Sequence, residues 1–261
     1  LVEFGVKELI LVAQETTLYG VDLYGKKSLS ELLHRLCEIK GLYWIRILYC
    51  YPEEITDELI ETIKTEDKIC HYLDIPIQHA SDRILKRMGR RTTREDLINI
   101  IRKLRTQIPD ICLRTTLITG FPGETEEDHE SLISFIDEME FDRLGVFQYS
   151  PEEDTPAAEF ANQVSDEIKA DRQADLMELQ QEIAYEKAEA MEGMRLTVMV
   201  EGKVPDENAY VARSYKDAPN VDGFVFIQTA RELMTGDFVR VRITGAYEYD
   251  LIGEIDDEFA E

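Results

Sequence analysis

Five short runs rich in β-branched and aromatic residues alternate with helical segments over the first 150 residues, and this alternation limits the fold most sharply. The runs are KELILVAQ (7–14), WIRILYC (44–50), HYLDIPIQ (71–78), CLRTTLITG (112–120) and RLGVFQYS (143–150). Between them, SLSELLHRLCEI, TDELIETIKT, SDRILKRMG, REDLINIIRKLRTQI and EEDHESLISFIDEME repeat apolar residues at helical spacing. Thr56, Ser81 and the pairs Thr93/Asp96 and Thr125/Asp128 read as helix starts. Strands that are apolar almost throughout, each followed by a helix, specify a parallel sheet covered by helices. A partial α/β barrel is expected rather than a doubly wound sheet, because no GxGxxG follows the first strand.

The pattern then changes. DEIKADRQADLMELQQEIAYEKAEAME (166–192) reads as one long charged helix whose stripe Ile168, Leu176, Leu179 and Ile183 should pack on the barrel. After it come only short strands and turns: RLTVMVEG, AYVARSY, GFVFIQ and DFVRVRITGAYEYDLIGEI. About five such strands suit a small closed β-barrel. The expected organisation is a partial barrel over 1–165, a connecting helix over 166–192 and an all-β module over 193–261. The N-terminus, LVEFGVKELILV, starts in mid-pattern with neither Met nor cap, and reads as part of a longer polypeptide.

No apolar run approaches the roughly 18–20 residues of a membrane span, and nothing resembles a signal peptide, so no membrane association is expected. Asp and Glu number 54 against 29 Lys and Arg, a net charge of −25. Such a chain is a poor general ligand for nucleic acid and suits the steering of a basic partner. Solubility at high salt or temperature accounts for the charge equally well. Cys37, Cys50, Cys70 and Cys112 form no CxxC or CxxxC cluster, so no metal site is expected from them. Buried reduced thiols fit a cytoplasmic protein.

In parallel α/β barrels ligands lie at the C-terminal ends of the strands. Alternation along 112–120 puts Arg114, Thr116, Ile118 and Gly120 on one face, giving a polar patch in the lumen. A guanidinium there needs a partner, either a ligand carboxylate or an internal aspartate such as Asp74 on the neighbouring run. Gly120, Pro122 and Gly123 permit close approach of backbone to ligand. Gln78 and Ser81 are placed to hydrogen-bond a ribose or adenine, with lumen filler and helix cap as their structural alternatives. His79 has no nearby second ligand that would make it a metal site. Gln14, Glu15 and Thr16 end the first strand, Arg46 and Tyr49 mark the second, and Gln148, Tyr149 and Ser150 end the last.

LVAQETTLYGVDLYG, HYLDIPIQHASDRILKRMGR, LRTTLITGFPGETEEDHE, FQYSPEEDTPA and a terminal EYDLIGE resemble the methylthiotransferases of the radical S-adenosylmethionine superfamily. The similarity extends over nearly all of the chain and is greatest to the branch that modifies ribosomal protein S-twelve. It implies a partial TIM-like radical-SAM barrel followed by a TRAM domain, a small OB-like β-barrel. It also implies S-adenosylmethionine and two 4Fe-4S clusters as cofactors, one held by a CxxxCxxC loop and one by three further cysteines. The implied reaction is hydrogen abstraction by a 5′-deoxyadenosyl radical and methylthiolation of the β-carbon of one aspartate. Neither cysteine set is in this sequence, so the chain alone is expected to be inactive. Arg114 is the implied partner of the cofactor carboxylate, with Arg46 as its rival. Gln14, Glu15, Gln78, Ser81 and Thr116 are implied for the remaining contacts.

A sister branch modifies an adenosine of transfer RNA. Over 195–261 there are 7 Lys and Arg against 14 Asp and Glu, a net of −7, where an RNA-binding barrel would show a basic groove with stacking aromatics. Tyr210, Tyr215, Tyr247 and Tyr249 are present in an acidic surround. The expected partner is therefore the basic ribosomal protein, met through the acidic TRAM domain by a monomeric enzyme. Transfer RNA modification and a non-catalytic binding module are the alternatives.

Overall fold

The computed structural model describes residues 1–256. The chain divides into two compact units, Leu9–Gln180 and a second that runs from Gln181 onward together with Leu1–Glu8. Its first elements are β1 (Glu8–Leu11), the single-turn helix α1 (Val21–Tyr24), α2 (Leu29–Cys37), β2 (Trp44–Ile47), α3 (Asp57–Thr65) and β3 (Ile69–Asp74). Then come α4 (Asp82–Arg87), α5 (Arg94–Gln107), β4 (Cys112–Thr119), α6 (Glu126–Met139) and β5 (Arg143–Gln148). The strands lie in the order β1-β2-β3-β4-β5, and β2 to β5 pair parallel throughout. This is the open arc of a partial barrel.

Side-chain alternation decides which face is core. On β4, Leu113, Thr115, Leu117 and Thr119 are buried, while Arg114, Thr116 and Ile118 are half-buried on the opposite, lumen face. The helices meet the core face through Ile60 and Ile63 of α3, Leu97, Ile101 and Leu104 of α5, and Leu132, Phe135 and Ile136 of α6. Thr56 accepts the Leu59 N–H at the start of α3. Thr93/Asp96 and Thr125/Asp128 form complete reciprocal caps. Ser81 occupies the cap position of α4, but its hydroxyl goes elsewhere.

Helix α7 (Asp166–Glu189) differs from expectation in how it packs. Ile168 is 44% exposed, and the buried positions as far as Gln180 are Lys169, Arg172, Leu176 and Gln180 itself. The Arg172 guanidinium donates to Glu124 Oε1 at 3.0 Å and to Glu126 Oε2 at 3.2 Å. Gln173 donates to the Val146 carbonyl on β5 at 2.6 Å, and Gln180 to the Phe141 carbonyl at 2.9 Å. Hydrogen bonding therefore holds this half of the helix as much as apolar contact does, and it covers the outer edge of β5.

In the second unit, β6 (Arg195–Lys203), β7 (Ala209–Ser214), β8 (Val225–Gln228), β9 (Phe238–Tyr247) and β10 (Asp250–Ile255) close a barrel in the order β10-β8-β7-β6-β9. All its pairings are antiparallel except β8 with β10. Val198, Val200, Ala212, Val225, Ile227, Val241 and Ile243 fill it. Buried Arg213 pairs with Glu8 at 2.6 Å and Glu201 at 2.7 Å. That buried charge pair groups the first eight residues with the barrel, which strand and helix patterns did not foresee. Residues 257–261 of the anticipated 193–261 module lie outside the described residues. Among the described residues no helix is long and apolar enough to cross a membrane.

If α7 is seated as described, Leu176→Ala should cost about 2–4 kcal/mol in urea unfolding, and Ile168→Ala should stay within about 0.5 kcal/mol. Equal losses would contradict this seating.

Candidate functional site

The C-terminal ends of β3, β4 and β5 open into a cavity of about 510 Å³. Gln78, Ile118, Phe147, Tyr149 and Ser150 line it from the strand ends. Arg87, Met88, Gly89 and Arg90 line it from the end of α4 and the loop beyond, and Pro156, Ala157 and Phe160 from the segment after β5.

Two loops shape this cavity, and one carboxylate joins them. Glu124 is buried, and its Oε2 accepts the Gly120 N–H at 2.8 Å and the Phe121 N–H at 3.2 Å. Gly120 has φ 72°, and a Cβ there would collide with the stem of Lys169, so the GFPGE turn requires glycine at this place. His79 is fully buried, and its Nδ1 accepts the N–H groups of Ala80 and Ser81, each at 2.9 Å. Two incoming donors leave the ring proton on Nε2, which lies 3.6 Å from Glu124 Oε2. That is beyond hydrogen-bond range, so the contact is chiefly electrostatic. Burial pushes the Glu124 pKa up, but the His79 ring, Arg172 and the Phe121 N–H outweigh it, and the net shift is downward.

A second carboxylate clamps the same region. Asp128 takes the Ser81 hydroxyl at 2.6 Å, the Thr125 N–H and hydroxyl at 2.9 Å each, and the Arg83 guanidinium. Burial opposes its ionisation, yet these donors hold its pKa down at about 2.

The residues anticipated for ligand contact separate into groups. Gln78 lines the cavity, adopts φ 72° and is stitched to β4 by its N–H to Thr116 O (2.9 Å) and its carbonyl to Ile118 N (2.8 Å). Left-handed backbone at a non-glycine residue is uncommon and gathers at functional sites. Thr116 lies on the lumen face beside Gly145. Arg114 is on that face too, but its guanidinium meets Asp74 Oδ1 at 3.1 Å, which is the internal alternative. Ser81 is committed to Asp128. Glu15 caps the turn after it, accepting from Thr17 N and Thr17 Oγ1, and takes the Tyr51 N–H at 2.9 Å; burial raises its pKa despite these donors. Gln14 is exposed. Arg46 is 0% exposed, enclosed by the rings of Tyr72 at 4.8 Å and Trp44 at 6.0 Å, and so is sealed from the strand ends.

The residue missed from sequence is Arg90. Its guanidinium lies over the Tyr51 ring at 4.8 Å and donates to the Pro76 carbonyl at 3.4 Å. Among the described residues no carboxylate pairs with it or with Arg87, which rests on Phe160 and Pro122 O. The run RILKRMGRR offered the signal, since it concentrates positive charge in an acidic chain.

No group of three His, Cys, Asp or Glu among the described residues could hold a metal. Cys50, Cys70 and Cys112 are buried free thiols, and burial together with Glu66 pushes half-buried Cys37 up to about 11. The described residues do not fit an iron–sulfur cluster, whose ligands are thiolates. They do fit a polar cofactor with a carboxylate, through Arg90 and Gln78.

A family model described as the Radical SAM superfamily matches residues 1–136, and one described as the TRAM domain matches 193–255. The chain belongs to the radical SAM superfamily. It is 65% identical over 96% of its length to a protein of Lachnoclostridium phytofermentans named ribosomal protein uS12 methylthiotransferase RimO, covering 57% of that protein. Proteins of the same name from Clostridioides difficile and Desulfitobacterium hafniense are each 51% identical, over 98% and 96% of this chain and 57% and 56% of theirs. The chain thus spans somewhat over half the length of these relatives. Among solved structures, coproporphyrinogen III oxidase from Escherichia coli superposes with a TM-score of 0.45 at 20% identity, over 63% of this chain and 38% of that one.

The low pKa of Asp128 has a stability consequence. A carboxylate depressed on folding contributes stability above its unfolded value near 4, and loses it as pH falls toward 2. Asp128→Asn should cost about 1–3 kcal/mol at neutral pH and flatten the decline in stability between pH 4 and 2. An unchanged acid limb in pH-dependent unfolding would show that the clamp is not formed.

Proposed function

We propose that this chain belongs to a methylthiotransferase acting on ribosomal protein uS12, and that the modified atom is the β-carbon of one aspartate. Similarity to the RimO-named relatives supports the reaction class and substrate. The observation that supports the site is Arg90, a cation on the cavity wall whose charge no described carboxylate balances. In this reading Arg90 takes the methionine carboxylate of S-adenosylmethionine, with its plane held by Tyr51 and Pro76 O. Gln78 and Thr116 offer polar contacts to the ribose, and Ile118, Phe121 and Tyr149 receive the adenine. Arg114 was expected to hold that carboxylate, but its pairing with Asp74 favours Arg90.

The bound cofactor, together with a reduced iron–sulfur cluster, supplies the one-electron chemistry that removes hydrogen from an unactivated carbon. Two such clusters are proposed for the longer polypeptide, and this chain alone is proposed to be inactive. Its residues bind and orient the cofactor, and the apolar cavity wall of Phe147, Pro156, Ala157 and Phe160 excludes water. The TRAM barrel is proposed to meet the basic ribosomal protein in the cytoplasm, on the charge balance of residues 195–261.

In cluster-loaded full-length enzyme, Arg90→Met should weaken S-adenosylmethionine binding by about tenfold or more in equilibrium dialysis, as loss of a charge-assisted pair requires. Incubation of the parent enzyme with ribosomal protein uS12 should add one methylthio group at an aspartate, read by mass spectrometry. Full affinity in Arg90→Met would refute the cofactor placement, and an unmodified protein substrate would refute the reaction.

A further inference from the structure

The end of α4 and the loop beyond it concentrate unmatched positive charge in an acidic chain. Lys86, Arg87 and Arg90 fall within five consecutive residues, and no described carboxylate pairs with any of them. The basic residues on either side are matched, Arg83 by Asp128 and Arg91 by Glu53 and Glu54. Partners are plentiful in a chain with 54 Asp and Glu. Arg87 and Arg90 nevertheless both line the cavity without one.

The two guanidinium groups are held by different parts of the wall and at different depths. Arg90 is half-buried, over the Tyr51 ring and bonded to the Pro76 carbonyl. Arg87 is exposed, and it belongs to the side made by the GFPGE turn and the segment after β5. Its guanidinium lies 4.8 Å from the centre of the Phe160 ring, and its Nε donates to the Pro122 carbonyl at 3.1 Å. Gly123 has φ 86°, and a Cβ there would come within 3.3 Å of Cζ, Nε and Nη2 of Arg87. The second glycine of the turn thus lets the guanidinium settle against it. These contacts fix Arg87 through Nε and one face, and leave Nη1 and Nη2 without a described partner. Two parallel N–H groups at the end of the fork match the two oxygens of a carboxylate.

The proposed reaction brings two carboxylates to this cavity, one on the cofactor and one on the aspartate whose β-carbon is modified. Substitution at the β-carbon leaves the second carboxylate intact, so a pairing made on binding persists through the reaction. We infer that Arg87 is the specificity residue that receives the carboxylate of the substrate aspartate, while Arg90 keeps that of the cofactor. Depth assigns the two. A small cofactor reaches the half-buried cation, whereas a side chain presented by another protein arrives from solvent and meets the exposed one first. Phe147, 60% exposed and also lining the cavity, offers apolar contact to the residues flanking that aspartate. The inference rests on the proposed reaction at aspartate, and it predicts selection of aspartate over asparagine at the modified position.

The test uses the cluster-loaded full-length enzyme and a synthetic peptide from ribosomal protein uS12 spanning the modified residue, with aspartate or asparagine at that position. Fluorescence anisotropy should show the aspartate peptide binding about fivefold tighter to the parent enzyme, as a partly exposed charge pair allows. Arg87→Met should abolish that preference while S-adenosylmethionine affinity is retained, which also reports that the variant is folded. Arg87→Lys, with its charge kept and its fork lost, should show an intermediate preference, and it carries the test if the methionine variant does not fold. Arg90→Met should do the reverse, losing cofactor affinity and keeping the preference for aspartate. A parent enzyme that neither binds nor modifies the aspartate peptide would overturn the reaction and this inference with it. A parent enzyme that modifies the peptide, paired with an Arg87→Met that keeps the full preference, would overturn the role of Arg87 alone. Loss of cofactor affinity in Arg87→Met matching the loss of peptide affinity would overturn it too, and assign Arg87 to the cofactor.

Discussion

The geometry of the cavity depends on the buried carboxylate of Glu124. It gathers the Gly120 and Phe121 N–H groups at the end of β4, faces His79 at the end of β3, and receives Arg172 from α7. A charge at such depth is tolerated only when hydrogen-bonded and paired, and removing one partner leaves an uncompensated ion behind. Each loop is thereby tied to the other two elements. The GFPGE turn cannot drift from the loop that carries Gln78, and α7 is locked over both. The neighbouring Asp128 repeats the device closer to the surface, linking Ser81 and Arg83 to the start of α6.

Much of the architecture was legible because it rests on local and periodic signals. Apolar alternation placed the strands β2 to β5, and the Thr93/Asp96 and Thr125/Asp128 caps fixed where α5 and α6 begin. Ser81 shows where local reading stops. It has the chemistry of a cap, but a carboxylate 47 residues away offers its hydroxyl a shorter bond. The seating of α7 was legible only in part, since Leu176 and Ile183 are buried as their spacing implies while Ile168 is exposed. Hydrophobic spacing selects Ile168, whereas Lys169 is buried with Asp166 of the same helix as its partner, Arg172 with Glu124, and Gln180 with the Phe141 carbonyl.

The arginines were legible as residues and not as partners. A sequence shows that Arg114 sits in a strand, and it offers both an internal aspartate and an external carboxylate as mates. Only strand register, which sets Asp74 beside Arg114, shows that the pair is made. Arg90 was hidden for the opposite reason. It lies in a basic loop that reads as a solvated surface, and its distinction is the absence of a described carboxylate among its contacts, which is a three-dimensional property.

Taken with the net charge, the arginines define an electrostatic division of labour. An acidic exterior repels free anions and draws in basic protein, with a reach of about a Debye length. At the cavity, Arg90 supplies a positive group with no described carboxylate among its contacts. A basic polypeptide approaching such a chain is attracted through its own charge. A free dicarboxylate or nucleotide would meet the repulsion without the compensating attraction. For the proposed reaction, a net charge of −25 disfavours the approach of small free anions and favours a basic polypeptide, within the reach that salt leaves to it.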